Sequence, residues 1–496
     1  MLNSNVESPS GKPYTAQNRL SGTVPNARPF IEQNATHPKD RSLSRESIAR
    51  AIDEKQIQLL SVEYVDFGGI SRAKARNATD LDAFLESGIG FAKGNFGITA
   101  FDTVAPEAGY TPASGEANLV PVLDSFAVPP YAKTVARFMG EFRNFDGSTW
   151  DLCPRSAFRT FLQKTEDSGF KYFGGAEMEF NVVRRDGANI LPWTSSAIQS
   201  QHGLDLGSEL LTEIVTNVEA MNLRIIKAHA EGGAAFGGHY EIDMHHQPGV
   251  KCADDVVTFR DAAKFIAQRK GLTATFLAKL GDSFTGSGMH MNSSLCDPKS
   301  GRNLFGDPND DRGLGLSQLC YYFIGGILEH TRALCAAVSA NVNSYKRLIH
   351  PGHWAADGVF YAPGHRGAAV RVPRTGDKSE TAHIEFRVPD PACNPYIAFT
   401  CLLAAGLDGI QHKLEPGDPI PDEVSRWSSS ERIKNGIKPL PKSLYEAVEE
   451  FRRDDVLRRA LGKTFFEEYV NIKLAEWDEY SSLVTPWETQ RMIEFH

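Results

Sequence analysis

Four separate stretches of the chain alternate apolar residues with residues that carry a carboxylate, an imidazole or a guanidinium. These stretches are residues 175–180, 225–231, 287–292 and 383–388. Because successive side chains of a strand point to opposite faces of a sheet, each stretch places its ionisable residues on one face and its apolar residues on the other. The ionisable faces can converge, and the pattern predicts a single site for metal ions and phosphate.

The length and the charge of the chain limit its class. A chain of 496 residues exceeds the size at which a single core usually stops growing, which predicts two domains with flexible ends. We expect a flexible tail over residues 1–42, a small N-terminal domain over 43–148 and a larger domain over 149–496. The net charge of -9 argues against nucleic-acid binding, so any anionic substrate must meet positive charge locally.

The cysteines and the hydropathy of the chain indicate its compartment. The seven cysteines are scattered and lack the Cys-x-x-Cys pair typical of zinc or redox dithiol sites, so we expect reduced thiols. The sequence contains no run of about eighteen apolar residues and no secretory signal. We therefore expect a soluble, cytoplasmic protein that does not bind membranes.

The periodicity of apolar residues predicts the main helices and strands. A helix should follow Ser44 as its N-cap and bury Ile48 and Ile52, and a hairpin should follow over residues 59–67 and 70–76. Further helices are expected over residues 154–164, 208–221, 253–270 and 316–338, strands over 170–183 and 224–231, and helical structure over 443–477. Strands and helices therefore intermix in the larger domain.

A set of acidic side chains on these strands matches the needs of a divalent cation. Glu177 and Glu179 lie on one strand face about 7 Å apart, and each raises the pKa of the other unless a cation lies nearby. A single Glu-x-Glu pair is usually a solvated strand face, but similar stretches recur here. The complete set holds five carboxylates and one imidazole: Glu177, Glu179, Glu231, Glu241, His290 and Glu385. Because oxygen dominates, this set suits Mg²⁺ or Mn²⁺ better than zinc.

Four arginines supply the opposite charge, and they are Arg347, Arg366, Arg371 and Arg387. A guanidinium is a planar fork that binds carboxylate or phosphate oxygens. One arginine alone is more often part of a surface salt bridge, but metal ligands and arginines in one site are typical of phosphoryl transfer or phosphate-activated acyl transfer. His245 and His246 are interpreted as surface residues.

Successive motifs of the chain resemble those of the glutamine synthetase family, in the family's order. They comprise residues 286–290, 343–348, 384–390 and 394–398, and residues 272–279 and 404–410 extend the match. The resemblance runs from about residue 50 to residue 490. It implies an α+β fold with a small β-grasp N-terminal domain. The catalytic domain would be of the glutamine synthetase type, an open antiparallel β-barrel surrounded by helices.

The resemblance also implies the chemistry and the assembly. ATP would phosphorylate the γ-carboxyl of L-glutamate, and an amine would then displace phosphate from this γ-glutamyl phosphate to give a γ-glutamyl amide. A carboxylate resists nucleophiles, whereas an acyl phosphate carries a leaving group. The cofactors would be ATP and two or three Mg²⁺ or Mn²⁺ ions per site. The expected homo-oligomer is a hexameric ring, stacked in pairs as a dodecamer, with each active site between subunits.

Carried over position by position, the resemblance assigns ligands to two metal ions. One ion would be held by Glu179, Glu231 and Glu241, and a second, which binds the ATP phosphates, by Glu177, His290 and Glu385. Ser294 falls where the family contacts the nucleotide. Asn292 and His383 stand near it in place of a His and an Arg that are frequent in the family, and we assign them to nucleotide binding as well.

The resemblance places the remaining residues around glutamate and the phosphoryl group. Arg347 would bind the α-carboxylate of glutamate, and Gly286 would leave its backbone open to the substrate. Arg366, Arg371 and Arg387 would neutralise the transferred phosphoryl group and help to hold glutamate.

The chain departs from the family between Arg347 and Arg366. Members that use ammonia carry Pro-Gly-x-Glu there, and its Glu helps to attract and deprotonate ammonium, whereas this chain has Pro-Gly-His followed by Trp354. An indole in place of a carboxylate favours an amine with a hydrocarbon or aromatic group. An aromatic amine such as aniline fits because it is neutral at pH 7. Alkylamines stay open, with Asp102 of the adjacent subunit as the expected proton acceptor.

Three functions follow from these features. The γ-glutamylamide synthetase branch predicts a ligase that joins glutamate to a substituted amine and forms, for example, a γ-glutamylanilide. Glutamine synthesis from ammonia is the alternative within the same class, and Trp354 would then only pack a loop. A catalytically inactive scaffold is the alternative from another class. Such a scaffold would have lost metal ligands or arginines, yet all six ligands and all four arginines are present.

Overall fold

The computed structural model describes residues 43–187, 189–232, 237–349, 354–374 and 379–495. The predicted tail over residues 1–42 lies outside this range. Among the described helices, none combines the length and the apolar character needed to cross a membrane. The seven cysteines are free thiols, as the sequence predicts, and the structure shows that all are buried.

The first part of the chain forms a five-stranded sheet. Its elements are α1 Arg45–Glu54, β1 Leu59–Val65, β2 Ser71–Asn77, α2 Leu81–Ser87, β3 Ile89–Ala92, β4 Glu116–Pro121 and β5 Val135–Arg143. The strand order is β2-β1-β5-β4-β3, and β1 and β5 are parallel neighbours in the centre. This is the expected β-grasp arrangement. Ser44 caps α1, whose Ile48 and Ile52 are buried, and β1 and β2 form the predicted hairpin.

The rest of the chain builds a larger sheet with helices around it. Its strands are β6 Lys171–Asp186, β7 Asn189–Pro192, β8 Ile225–Ala230, β9 His239–Met244, β10 Gln247–Pro248, β11 Thr273–Thr275, β12 Met289–Cys296, β13 Tyr361–Pro363, β14 Val370–Val372 and β15 Ile384–Phe386. The order is β13-β14-β15-β12-β6-β9-β8, and β7, β10 and β11 also pair with β6. Only β13 and β14 run parallel among these described pairs. The expected open, antiparallel barrel sheet is therefore confirmed.

The helices pack around this sheet and against each other. They are α3 Pro154–Asp167, α4 Gln201–Ala220, α5 Lys251–Arg269, α6 Gln318–Val338, α7 Ser344–Leu348, α8 Pro395–His412, α9 Ser429–Lys434, α10 Leu444–Arg452, α11 Asp455–Leu461, α12 Lys463–Ser481 and α13 Pro486–Met492. Two helical predictions were inaccurate. Helix α4 begins seven residues earlier than expected, and the region 443–477 forms three helices. These breaks fall at the N-cap Asp454 and at Gly462, whose φ is +86°.

Helices α6 and α8 cross at close range because glycines face each other's backbone. A Cβ at Gly326 would lie 2.1 Å from the carbonyl oxygen of Ala405, and a Cβ at Gly409 would lie 2.1 Å from that of Tyr322. Such contacts exclude any side chain, so only glycine fits at this crossing. Because α8 follows β15 in the chain, the crossing also anchors the strand that carries Glu385.

The side chain of Asn394 joins the two sheets. Its oxygen accepts hydrogen bonds from the first turn of α8, at Tyr396 and Ile397. Its amide nitrogen donates to the carbonyl oxygens of Val65, at 3.1 Å, and Asp66, at 2.9 Å, at the end of β1. One buried residue therefore caps a helix and holds the β-grasp sheet beside it. The division into domains at residues 148 and 149 stays a prediction.

His330 on α6 links three helices through two carboxylates. Its Nδ1 lies 2.6 Å from Asp454 at the start of α11, and its Nε2 lies 3.2 Å from Asp408 on α8. Burial alone would lower the pKa of His330, but the hydrogen bonds and charges of Asp454 and Asp408 raise it above its ordinary value. The imidazolium is therefore the form that this helix junction stabilises.

His330→Gln should lower the free energy of unfolding by about 1–3 kcal/mol at pH 6, because charge-assisted hydrogen bonds are lost. The contribution of His330 is fully present below its unfolded pKa of about 6.5 and disappears as the pH rises through its raised folded pKa. The loss should therefore be smaller at pH 9, as measured by urea unfolding. His412→Gln is the control, because exposed His412 also contacts Asp408. An equal loss at both pH values in His330→Gln would contradict the prediction.

Candidate active site

The register of the antiparallel strands arranges ionisable side chains in rows across one face of the large sheet. Both rows take residues from the neighbouring strands β8, β9 and β6, and the first row also takes one from β12. The first row is Lys227, Asp243, Glu177 and His290, and the next is His229, Glu241 and Glu179. Residues directly opposite on antiparallel strands have Cβ atoms about 4.5–5.5 Å apart. Side chains that are distant in the sequence, such as Glu177 and His290 at a separation of 113 positions, therefore meet.

The second predicted metal group is assembled in the structure. Glu177, His290 and Glu385 each offer a donor atom, and these atoms lie within 4.8 Å of one another. The Nδ1 of His290 is 3.3 Å from Glu177 and 3.4 Å from Glu385. Two carboxylates and an imidazole at this spacing can close around one divalent ion.

The first predicted group is divided between two neighbouring clusters. Glu179 and Glu241 group with His290, whereas Glu231 groups with His229 and Glu241. A ring nitrogen of His229 lies 2.8 Å from Glu231. Glu241 therefore belongs to both clusters, and binding of one ion by Glu179, Glu231 and Glu241 together stays a prediction. The adjoining residues 233–236 lie outside the described residues.

The surroundings of these carboxyl groups shift their pKa values in opposite directions. Burial, and then the negative charges of Glu179, Asp243 and Glu177, raise the pKa of Glu241 well above its usual value. Burial would also raise the pKa of Glu177, but His290 and the Asn292 amide lower it overall. Oxygen donors that repel one another in a buried site fit the hard divalent ions that the sequence predicts, because such an ion offsets the repulsion.

Glu385 is completely buried between two of the four arginines. Its two oxygens accept hydrogen bonds from Arg371 and Arg387. Arg387 also donates from Nε to the carbonyl oxygen of Arg366 at 2.8 Å and from Nη2 to that of Trp354 at 3.0 Å. Arg387 is thus the junction between a predicted metal ligand and the segment that carries Trp354.

Trp354 presents its ring at the edge of this cluster. Its side chain is half-exposed, and its φ of +65° is the left-handed conformation that few non-glycine residues adopt. The guanidinium carbon of Arg366 lies 5.3 Å from the ring centroid, in cation–π geometry. The preceding residues 351–353 lie outside the described residues. Trp354 therefore contacts Arg387 through its carbonyl oxygen and Arg366 through its ring.

Arg347 lies beneath the cluster, beside Gly286. Its terminal nitrogens donate to the carbonyl oxygens of Val388 at 2.9 Å and Arg387 at 3.1 Å. A Cβ at Gly286 would lie 2.8 Å from Cγ of Arg347, and a Cβ at Gly288 would lie 2.6 Å from its Nη2. Both glycines are therefore required for the position of Arg347, and its binding of an α-carboxylate stays a prediction.

The predicted nucleotide residues lie along β12 and β15 beyond Glu177. Asn292 donates to Glu177 at 3.1 Å, and the hydroxyl of buried Ser294 has no hydrogen-bond partner among the described residues. His383 binds the carbonyl oxygen of Thr381. Its ring contacts that of His246, with centroids 5.0 Å apart.

The interpretation of His246 as a surface residue is wrong. A Cβ at Gly175 would lie 2.4 Å from Cδ2 of His246, so the imidazole packs directly against the strand that carries Glu177. Burial, followed by the charge of His383, lowers the pKa of His246 to about 3. The imidazole is therefore neutral and forms part of the wall at the nucleotide end of the cluster.

Asp102 lies outside the cluster of its own chain. It is 69% exposed and pairs with Arg72 of the β-grasp sheet at 2.6 Å. Its φ of +59° places it in a tight turn, in which the amide of Thr99 donates to the carbonyl oxygen of Thr103 and the amide of Asp102 donates to that of Thr99. Its action on a neighbouring subunit stays a prediction.

The structure adds three residues that the sequence did not single out as site residues. Asp243 and Lys227 stand in the same row as Glu177, and His229 stands opposite Glu241. The signal was present in the alternation of β9, where Glu241 and Asp243 are two residues apart, and of β8, where Lys227 and His229 are. Alternation gives the face of each residue, but only the pairing of the strands gives its neighbours.

This site belongs to a class of enzymes that activate a carboxylate with ATP and pass it to an amine, and comparisons with known proteins define the family. Residues 151–492 match the family model described as glutamine synthetase, catalytic domain. A glutamine synthetase of Methanococcus voltae is 33% identical over 462 residues, which cover 91% of this chain and 99% of that protein. A glutamine synthetase of Thermotoga maritima is 35% identical over 463 residues, which cover 90% and 99%.

Solved structures agree with this assignment. One described as a GmaS/ADP complex has a TM-score of 0.79 and 28% identity, and the match covers 90% of this chain and 99% of that one. A second, described as a novel glutamine synthase homolog, has a TM-score of 0.75 and 26% identity, with 89% and 99% covered. The chain belongs to the glutamine synthetase family, whose enzymes use ATP and divalent metal ions, and it is an ATP-dependent carboxylate–amine ligase.

Glu385→Ala should abolish phosphate release from ATP with glutamate and any amine, because a predicted metal group loses a ligand. It should also lower the free energy of unfolding by about 3–5 kcal/mol, because buried Arg387 loses its partner. Glu385→Gln keeps the side-chain volume and should lose activity with a smaller loss of stability. Phosphate release and urea unfolding measure the two effects.

Glu141→Ala is a matched control, because Glu141 is also a buried carboxylate that binds two arginines, Arg155 and Arg159, but it lies in the β-grasp sheet. It should lose stability and keep phosphate release. Full turnover in Glu385→Gln would remove Glu385 from the assigned metal ligands.

Proposed function

We propose that the protein joins the γ-carboxyl of L-glutamate to a substituted amine through a γ-glutamyl phosphate, with ADP and phosphate as the other products. The acceptor would be an aromatic amine such as aniline, or an alkylamine. The observation that carries this proposal is Trp354, an indole held where ammonia-using members of the family carry a carboxylate.

The position of the indole argues for a neutral acceptor. Arg387 holds the carbonyl oxygen of Trp354, so the ring stays close to the cluster at Glu385. Arg366 lies over the ring and adds a positive charge where ammonium would have to enter. Ammonium would be repelled by this positive charge and would find no carboxylate at position 354 to bind it. An aromatic or alkyl group on the amine would instead contact the half-exposed indole.

The carboxylate groups and the arginines account for the other substrates. Divalent ions held by Glu177, His290 and Glu385, and by Glu179, Glu231 and Glu241, would act as Lewis acids on the ATP phosphates. Arg366, Arg371 and Arg387 would bind phosphoryl oxygens, which requires Arg371 and Arg387 to exchange part of their bonding with Glu385 for bonds to phosphate. Arg347 would hold the α-carboxylate of glutamate beside Gly286.

The nucleotide and the proton acceptor complete the proposed site. Asn292, Ser294 and His383 would bind the nucleotide, and the hydroxyl of Ser294, which has no hydrogen-bond partner among the described residues, would be free to bind it. Asp102 would reach the site of an adjacent subunit in a hexameric ring and take the proton that the attacking amine loses. Its exposure on the β-grasp sheet is compatible with this role. We propose that such rings stack as a dodecamer.

The comparisons support both a substituted amine and ammonia. GmaS, a γ-glutamylmethylamide synthetase, is named for a substituted amide product, and its apo structure also matches this chain, with a TM-score of 0.78. The sequence relatives at 33–35% identity are named glutamine synthetase, so ammonia is the second candidate acceptor. The residue at position 354 decides between the two in our proposal.

A panel of amines from ammonia through methylamine and ethanolamine to aniline, scored by phosphate release with ATP and glutamate, tests the proposal. Trp354→Glu should raise the ratio of kcat/KM for ammonia to that for aniline about tenfold or more, which corresponds to about 1.4 kcal/mol of transition-state preference. Trp354→Phe keeps a ring and should keep the wild-type profile. Trp354→Gln removes the ring without adding a charge. It therefore separates the effect of losing the ring from the effect of the added carboxylate in Trp354→Glu.

Two outcomes would contradict this acceptor assignment. One is an amine profile that is the same in wild type and Trp354→Glu. The other is wild-type protein that turns over ammonia faster than every substituted amine, which would establish the alternative of glutamine synthesis.

A further inference from the structure

One cluster of three carboxylates in the large sheet differs from the assigned metal groups, because it adds Asp243, which has no role in the proposed reaction, to Glu177 and Glu241. Glu177 and Asp243 stand opposite each other on β6 and β9, and Glu241 is the next residue on the same face of β9. One oxygen from each of these three residues lies within 4.8 Å of the others. Three negative charges this close need a compensating cation.

A lysine ammonium already lies against this group. Nζ of Lys227 is 2.9 Å from Oδ2 of Asp243 and 3.8 Å from Oε1 of Glu241. Asp243 is only 4% exposed, and its other oxygen, Oδ1, accepts no hydrogen bond within the described chain. Lys227 therefore neutralises part of the charge of the three carboxylates, and Oδ1 of Asp243 stays buried without a hydrogen bond from the described residues.

An irregularity in β8 brings Lys227 to this position. Ile225 pairs with Met244 and Lys227 pairs with Asp243, so two steps along β8 match one step along β9. Ile226 is the extra residue of this bulge. In regular pairing, Lys227 would stand opposite Ile242 and point to the apolar face. The bulge turns Lys227, and with it His229, toward the carboxylates.

We propose that Lys227 is a resident cation, and that its ammonium keeps a divalent ion out of the position formed by Glu177, Glu241 and Asp243. This inference rests on the proposed binding of divalent ions in the same site. The reach of a lysine is suited to the task, because the ammonium is a compact charge on a flexible stem attached to the edge strand. A divalent ion must displace a group that is tethered beside the carboxylates and is always present.

The proposal predicts what happens when the ammonium is removed. Three closely spaced carboxylates without a counter-charge, two of them buried, form an oxygen-rich position of the kind that hard divalent ions occupy. Lys227 thus limits the site to the ions held by the other carboxylate groups. It also keeps Glu177 and Glu241, which both belong to those groups, available for them.

The experiment counts Mn²⁺ bound per chain by equilibrium dialysis, with free Mn²⁺ measured from its electron paramagnetic resonance signal. Lys227→Met should bind one more Mn²⁺ per chain than wild type. Lys227→Arg keeps a cation and should keep the wild-type number. In the double variant Lys227→Met with Asp243→Asn, the additional ion should be lost again.

A matched control is Lys270→Met, because Lys270 also bridges two carboxylates, Glu209 and Glu213, but it lies between α4 and α5. It should bind the wild-type number of ions. An unchanged number in folded Lys227→Met overturns the inference. Asp243→Asn alone provides a test that does not depend on the folding of Lys227→Met. Its Mn²⁺ number should equal that of wild type, and a loss of one ion would show that Asp243 already holds a metal.

The outcome for wild-type protein separates this inference from the proposed function. Wild-type protein that binds no Mn²⁺ overturns the proposed function and the inference together. Wild-type protein that binds Mn²⁺, with the same number in Lys227→Met, overturns only the inference. The amine profile does not enter the measurement.

Discussion

Mutual repulsion between carboxylates on neighbouring strands is the constraint on which the rest of this structure depends. Glu177, Glu179, Glu241 and Asp243 form a two-by-two array on β6 and β9. Such an array is stable only if something else holds the strands in register. That support comes from the opposite face of the sheet, where Met178, Phe180 and Ile242 are completely buried. A slip of one residue would exchange the two faces, burying the charges and exposing the apolar side chains.

The arginines balance the negative charge at the end of the site where Trp354 lies. Arg387 binds Glu385 and also holds the carbonyl oxygens of Arg366 and Trp354. One guanidinium, that of Arg387, therefore both pairs with the predicted metal ligand Glu385 and fixes the position of the indole of Trp354. A fork with five donors can make these bonds at once, which a lysine at this position could not do.

Much of this arrangement could be predicted from the sequence, because alternation along a strand reports which residues share a face. It led to β6, β8, β12 and β15 and to the set of six predicted metal ligands, whereas the resemblance gave the fold and the grouping of Glu177, His290 and Glu385. The division of Glu231 from Glu179 was not predictable, because it depends on how strands more than forty residues apart pair. The bulge at Ile226 could not be predicted either, because one inserted residue does not change the local propensity of the sequence to form a strand. Helix α4 was predicted too short because Gly203 and Gly207 lower its helical propensity.

The bridge made by Asn394 gives the molecule a mechanical property. Helix α8 cannot turn or withdraw without releasing the end of β1, because one amide caps the helix and grips Val65 and Asp66. The strand that carries Glu385 precedes that helix in the chain, and β1 belongs to the sheet whose Arg72 pairs with Asp102. Asn394 therefore couples the position of α8, and of the strand that precedes it, to the end of β1 in the other sheet.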